Sequence, residues 1–163
     1  MTMHEKSVEL LNRAVADELS AVHQYMYFHF RLDDLGYGPL SGMFKRIAIE
    51  EMIHVERLAE RILFLGGDVE MQVADPTRKI HDAKQMLEQA MAMEKQSQLD
   101  YNKWARECAK NADSGSRKIF ESLVDDEERH YDMFSTQVEH IERFGERYLA
   151  LQSFHDDPQA PPA

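Results

Sequence analysis

The sequence predicts an all-α protein: a four-helix bundle with a long crossover between its second and third helices and a short fifth helix at the C-terminal end. Three observations carry that prediction. Apolar residues recur at spacings of three and four along four segments of about thirty residues, the period of a single helix face. The prolines stand only at 39, 76, 158, 161 and 162, so long intervals are free of helix breakers. Six of the seven glycines, at 36, 38, 66, 67, 115 and 145, fall at the breaks between the periodic segments, and Gly42 alone lies within one.

The first helix should run over 5–34, where Leu11, Val15, Glu18, Val22, Tyr25 and His29 share one face. Leu35-Gly36-Tyr37-Gly38-Pro39 ends it, and Pro39 suits the first turn of a second helix over 39–65. That helix turns Phe44, Ile47, Glu51, His54, Leu58, Ile62 and Leu65 inward before Gly66-Gly67 closes it. Residues 67–81 have no sustained period and contain Asp75-Pro76, a length sufficient to cross a bundle from end to end. A third helix over 80–111 carries Leu87, Ala90, Glu94, Ser97, Tyr101, Trp104 and Cys108 on its inner seam. After the break at 112–115, with Asp113 or Ser114 as cap, a fourth helix over 114–144 lines up Phe120, Leu123, Glu127, His130, Phe134, Gln137 and Ile141. Gly145 separates a short fifth helix reaching about residue 154, and 156–163 reads as a flexible tail, leaving one domain over 1–155. Tyr27, Phe28, Phe30, Leu40, Ile49, Phe64 and Met71 lie off the inner seams and predict subunit contacts.

Charge narrows the function classes. Asp plus Glu number 30 against 19 Lys plus Arg, a formal charge of -11, which argues against nucleic acid and anionic membranes as partners and suits a protein that attracts cations. Cys108 stands alone, so no intrachain disulfide forms, and a cytoplasmic location is expected. The first twenty residues do not read as a signal peptide, and no run approaches 18 apolar residues.

Acidic residues inside apolar seams are the informative anomaly. Glu18, Glu51 and His54 reappear as Glu94, Glu127 and His130, each shifted by 76 positions, and Tyr25 reappears as Tyr101 by the same shift. Glu51 and His54, like Glu127 and His130, stand three residues apart, which puts both side chains on one helix face. Four inward carboxylates would be costly unless cations compensated them. A Glu from each of two helices and a Glu-x-x-His from each of the other two is the ligand inventory of di-iron and di-manganese bundles. The pattern therefore predicts a two-metal centre made by Glu18, Glu51, His54, Glu94, Glu127 and His130. Hard oxygen ligands with two imidazoles fit iron or manganese well. Tyr25 and Tyr101, two turns past Glu18 and Glu94, are candidates to hydrogen-bond the ligands. His29 reads as a satisfied bundle histidine and Cys108 as a buried small hydrophobe. His4, His23, His81, His140 and His155 carry no spacing signal. On spacing alone Met52 is a packing residue, pointing about 100° away from the metal face.

Three runs carry a family resemblance: Asp17-Glu18-Leu19, Glu51-Met52-Ile53-His54 with Glu60-Arg61-Ile62-Leu63-Phe64-Leu65, and Asp125-Asp126-Glu127-Glu128-Arg129-His130. Through them the chain resembles the bacterioferritins, the haem-containing branch of the ferritins, over about residues 5–154. The resemblance implies a ferritin-like bundle in a homo-oligomeric shell of 24 subunits built from two-fold dimers, with Fe(III) mineral stored inside. It implies that Glu18 and Glu94 are terminal ligands, that Glu51 and Glu127 bridge two Fe ions, and that His54 and His130 complete one iron each. It also gives Met52 a role, as axial ligand of a b-type haem shared between two subunits, and implies a small electron-transfer partner such as a ferredoxin for iron release. The histidine and aspartate that assist an extra iron in some relatives are Arg46 and Glu50 here, which weakens any such accessory site.

The function expected is that of a ferroxidase and iron store. Two alternatives share the fold: a di-iron oxygenase or peroxidase, which would need a substrate channel, and a non-catalytic, DNA-protecting mini-ferritin-like shell. The second places its iron ligands between subunits, against the complete set within this one chain.

Overall fold

A computed structural model describes residues 3–154; the predicted tail at 156–163 lies outside the described residues. Four long helices and one short helix follow in order: α1 (Met3–Asp34), α2 (Gly38–Phe64), α3 (Ala83–Lys110), α4 (Ser114–Phe144) and α5 (Glu146–Gln152). α1 packs chiefly on α2 and α3 chiefly on α4, so two hairpins make the bundle, with α1 facing α3 on one side and α2 facing α4 on the opposite side.

The helix ends follow from local chemistry. Pro39 falls in the first turn of α2, where its missing N–H costs nothing. Gly66, at φ +81°, takes the left-handed conformation that stops α2, and Gly67 N–H returns to Ile62 O at 3.0 Å. α3 begins three residues later than the period suggests. Asp82 caps it by accepting from Gln85 N at 3.0 Å, while Ile80 and His81 stay outside the helix, with His81 Nε2 3.1 Å from Tyr27 Oη. Of the two caps considered for α4, Asp113 is the one used: its Oδ1 accepts from Ser116 N at 3.1 Å and from Arg61 Nη2 at 2.6 Å. Gly145, at φ +60° and ψ −139°, takes a backbone shape open only to glycine and separates α4 from α5.

The crossover is strapped along α1. Asn12 Nδ2 donates to Asp68 O at 2.9 Å and its Oδ1 accepts from Glu70 N at 2.9 Å. Further along, Ser20 Oγ accepts from Ala74 N and Asp75 N, and Gln24 exchanges two hydrogen bonds with the backbone of Arg78. These bonds satisfy the backbone of a segment that has no helix of its own.

Two apolar clusters fill the interior. One gathers Tyr25, Phe28, Phe44, Ile47 and Phe134; the other gathers Leu58, Tyr101, Trp104, Phe120 and Leu123. The shift of 76 that relates the acidic residues maps Tyr25, Phe28, Phe44, Ile47 and Leu58 onto Tyr101, Trp104, Phe120, Leu123 and Phe134. The operation that exchanges the hairpins therefore exchanges the two core clusters as well. Within the described residues no helix is long and apolar enough to cross a membrane.

Candidate metal centre

Between the two apolar clusters lies a belt of buried polar residues. Glu18, Glu51, His54, Glu94, Glu127 and His130 are each at most 2 % exposed, a degree of burial that ionisable side chains avoid unless compensated. α1 contributes Glu18, α3 Glu94, and α2 and α4 a Glu and a His one turn apart. Their ligand atoms form two quartets, Glu18–Glu51–His54–Glu127 and Glu51–Glu94–Glu127–His130, in each of which all atoms lie within 4.8 Å of one another. Glu51 and Glu127 belong to both. His54 Nδ1 stands 3.4 Å from Glu18 Oε1 and 3.2 Å from Glu127 Oε1. His130 Nδ1 stands 2.7 Å from Glu51 Oε1 and 3.7 Å from Glu94 Oε1. The two imidazoles face each other at a ring-centroid distance of 6.2 Å.

The outer partners cross between the hairpins. Tyr25 of α1 donates its Oη–H to Glu94 Oε1 at 2.6 Å, and Tyr101 of α3 donates to Glu18 Oε1 at 2.5 Å. His54 Nε2 lies 2.8 Å from Asp126 Oδ2, and His130 Nε2 lies 2.6 Å from Glu50 Oε2. A carboxylate can only accept, so each Nε2 carries a proton, and Nδ1 is the nitrogen that faces the belt. Arg129 ties the two outer carboxylates together, with Nη2 at 2.5 Å from Glu50 Oε2 and 3.7 Å from Asp126 Oδ1. Sequence reasoning missed Asp126 and Glu50 as imidazole partners, although the signal was present: they too are related by the shift of 76.

Burial and mutual repulsion set the electrostatics. Burial, then the charges of Glu18 and Glu94, push the Glu51 carboxyl well above the usual carboxylate range. Burial and the charges of Glu51, Glu18 and Glu94 do the same to Glu127. Glu18 is also buried, but its neighbours Glu51, His54 and Tyr101 outweigh burial and hold it low. Burial alone would strip the proton from the imidazoles, yet Glu18 and Asp126 raise His54, and Glu94 and Glu50 raise His130. Tyr25 and Tyr101, deep among these acids, are raised far above ordinary phenols and remain donors.

The fit of this belt to cations follows from what it leaves unsatisfied. Glu18 Oε2, Glu51 Oε1, His54 Nδ1, Glu94 Oε2, Glu127 Oε1 and His130 Nδ1 are all buried and lack a hydrogen-bond partner. The short approach of His130 Nδ1 to Glu51 Oε1 does not have hydrogen-bond geometry. Each orphaned buried polar group costs about 1–3 kcal/mol. One atom from every one of the six residues is left this way, and two divalent cations would satisfy all six.

The other sequence expectations fall into place around the belt. His29 is a satisfied bundle histidine, its Nδ1 2.9 Å from Ser41 O and 2.8 Å from Ser41 Oγ. Cys108 is a fully buried hydrophobe whose thiol is pushed up to about 11, chiefly by burial. Met52, one residue past Glu51, points away from the belt and stands 47 % exposed.

The chain is similar to known proteins over nearly its whole length. The ferritin family, described as a ferritin-like domain, matches residues 8–144. A bacterioferritin of Desulfovibrio desulfuricans is 36 % identical over 153 residues, covering 89 % of this chain and 81 % of its own. One of Rhodobacter capsulatus is 38 % identical over 147 residues, covering 90 % and 91 %. Among solved structures, a Desulfovibrio desulfuricans bacterioferritin, crystallised to follow its diiron site through different catalytic states, superposes with a TM-score of 0.95 at 32 % identity, covering 99 % of this chain and 94 % of that one. A bacterioferritin of Mycobacterium tuberculosis superposes with a TM-score of 0.86 at 28 % identity, covering 90 % and 92 %.

Proposed function

The chain belongs to the bacterioferritin branch of the ferritin-like family, and from that premise we propose that Glu18, Glu51, His54, Glu94, Glu127 and His130 hold the iron that this protein oxidises. Fe(II) oxidation coupled to iron storage is its activity, and ferroxidase is the class of enzyme. The observation that carries the residue assignment is the set of six orphaned ligand atoms, one per residue, in two quartets that share Glu51 and Glu127. Glu18 and Glu94 serve as terminal ligands, Glu51 and Glu127 bridge, and His54 and His130 each complete one iron.

Iron supplies the redox chemistry, two Fe(II) giving up one electron each to O2 or hydrogen peroxide. The chain supplies the rest. The protons that burial holds on Glu51 and Glu127 leave as Fe(II) binds, so that carboxylate charge becomes available when the cations need it. Tyr25 and Tyr101 each fix one oxygen of Glu94 and Glu18, leaving the other oxygen free to bind. Asp126 and Glu50 hold the imidazole rings by Nε2 and favour Nδ1 as the ligand. The apolar clusters pack against the belt from either side and fix the helices that carry it.

Haem is assigned to Met52. Its thioether is half exposed on α2 beside the exposed Ile49 and Ile53, an apolar strip suited to a porphyrin face. One methionine per subunit suffices, because a two-fold contact brings the second. The exposed apolar residues Phe30, Phe64 and Met71 fit a homo-oligomer, proposed as the shell of 24 subunits in the cytoplasm, with a small electron-transfer protein such as a ferredoxin drawing on the haem for iron release.

Aerobic addition of Fe(II) to the metal-free protein tests the site. A fast oxidation phase saturating near about two irons per subunit is expected, and Glu94→Ala or His130→Ala should abolish it; a fast phase that survives in both refutes the assignment. Met52→Leu should lose haem and keep that phase. Haem retained by this variant would refute the axial role.

A further inference from the structure

The repeat that relates the two hairpins accounts for the six belt residues and for their outer partners, and it fails at Arg129. A shift of 76 pairs Tyr25 with Tyr101 and Glu50 with Asp126, but it pairs Ile53 with Arg129. Arg129 has no counterpart on α2, so repetition does not explain it. Its guanidinium is seated at both ends. Nη2 lies 2.5 Å from Glu50 Oε2 and 3.7 Å from Asp126 Oδ1, and Nη1 lies 3.9 Å from Met133 Sδ. The same two carboxylates reach inward: Glu50 Oε2 accepts from His130 Nε2 at 2.6 Å, and Asp126 Oδ2 accepts from His54 Nε2 at 2.8 Å. A chain of contacts thus runs His130–Glu50–Arg129–Asp126–His54, joining the two imidazoles across α2 and α4. The imidazoles are at most 3 % exposed, whereas the Glu50 and Asp126 side chains are about one-third exposed. Two like-charged carboxylates that reach the same nitrogen repel each other, and without the cation between them each is free to turn into water.

We propose that Arg129 is a positioning residue for the metal centre: by holding Glu50 and Asp126 together, it presets both imidazoles with Nδ1 toward the belt before metal arrives. It acts through the two acids and not on the metal. Its contact with Glu50 is the shorter one, so the quartet that contains His130 depends on it more than the quartet that contains His54. An ion pair this exposed adds little to fold stability, and the role is therefore read in metal affinity and not in melting. The direction of the effect separates positioning from plain electrostatics. A fixed positive charge beside a cation site repels the cation, so removing it would tighten binding. Removing a group that orients the ligands loosens binding. The inference rests on the six-residue metal centre proposed above.

Equilibrium titration of the full assembled, metal-free protein with Co(II), followed by the ligand-field bands, makes the test. The wild type should take up about two Co(II) per subunit. Arg129→Gln should weaken one of the two binding steps about threefold to tenfold and the other less, so that the titration spreads into two steps. Arg129→Lys keeps the charge and a donor for Glu50, though not the planar fork, and should restore most of the weakened step. In a Glu50→Gln background the change Arg129→Gln should loosen that step no further, because the acid it acts through is gone. Sizing and metal-free melting of the variants should match the wild type. Co(II) bound by Arg129→Gln as tightly as by the wild type, or more tightly, would overturn the proposal. So would an equal loss in the Glu50→Gln background, or a loss matched by a fall in metal-free Tm, which would make Arg129 a structural residue. A wild type that binds no Co(II) would instead remove the metal centre itself.

Discussion

Replacing Glu127 by Gln should make the metal-free protein more heat-stable at neutral pH and remove most of its further stabilisation by metal. Burial, followed by repulsion from Glu51, Glu18 and Glu94, holds the Glu127 proton well above the ordinary value of 4.5. A carboxyl that binds its proton more tightly in the folded than in the unfolded chain destabilises the fold as pH rises above the unfolded value. At pH 7 the cost of keeping that proton has a ceiling of about 3 kcal/mol, from the gap between 7 and 4.5 at about 1.36 kcal/mol per pH unit. Glutamine keeps the shape and never ionises, so it escapes the cost. For a chain of this size about 2–4 °C of Tm accompanies each kcal/mol, and a gain of roughly 3–10 °C is expected at pH 7, shrinking toward zero near pH 5.

The histidines act in the same direction. Their folded values lie above 6.5, so the stability they contribute is complete below that pH and is lost as pH rises through the folded value. The wild-type metal-free Tm should accordingly fall between pH 6 and 8. With Co(II) bound the dependence should reverse, since metal binding displaces the protons. Thermal melts by circular dichroism, on samples of equal assembly state with and without Co(II), make the measurement. A Glu127→Gln variant that melts at or below the wild type at pH 7, or that gains as much from Co(II), would refute the reasoning.

Asp126→Asn replaces the acceptor that fixes His54 Nε2–H and should weaken Co(II) binding about 10- to 100-fold, with the matched Glu50→Gln acting on His130; equilibrium titration followed by the ligand-field bands would show it. Tyr101→Phe leaves one Glu18 oxygen without its donor, and at a cost of about 1–3 kcal/mol should lower metal affinity measurably while leaving assembly unchanged. Asp113→Ala removes the α4 cap and the Arg61 ion pair, and a loss of about 1 kcal/mol is expected in chemical denaturation at pH 7. Burial raises the Asp113 carboxyl, but hydrogen bonds from Ser116, Ser7 and Arg61 outweigh it and hold the group at about 2. The stability it lends is therefore present above 3.8 and should disappear as pH falls through about 2.

The amino-acid sequence by itself determined the helices and the six residues that meet in the buried polar belt. Helix formation and the side on which a residue falls depend on spacings within a turn or two, so the seams through Glu18, Glu51, Glu94 and Glu127 could be followed without knowing what lay across from them. The shift of 76 then joined the two halves of the belt, because the hairpins repeat one another. Even the start of α3 was misplaced only by three residues, where the Asp82 cap overrode the apolar period. What tertiary structure alone decided were the relations between segments far apart in the chain. Nothing local tells that Tyr101 serves Glu18 and not its own neighbour Glu94, that Asp126 holds His54 across the bundle, or that Arg129 closes one face. Only the path of the crossover, pinned to Ser20 and Gln24, brings Asp75 to the same small cavity as Asp17 and Asp100. These are contacts between elements, set by how the hairpins pack and by where the strap runs, and a periodicity read along one helix carries no information about them.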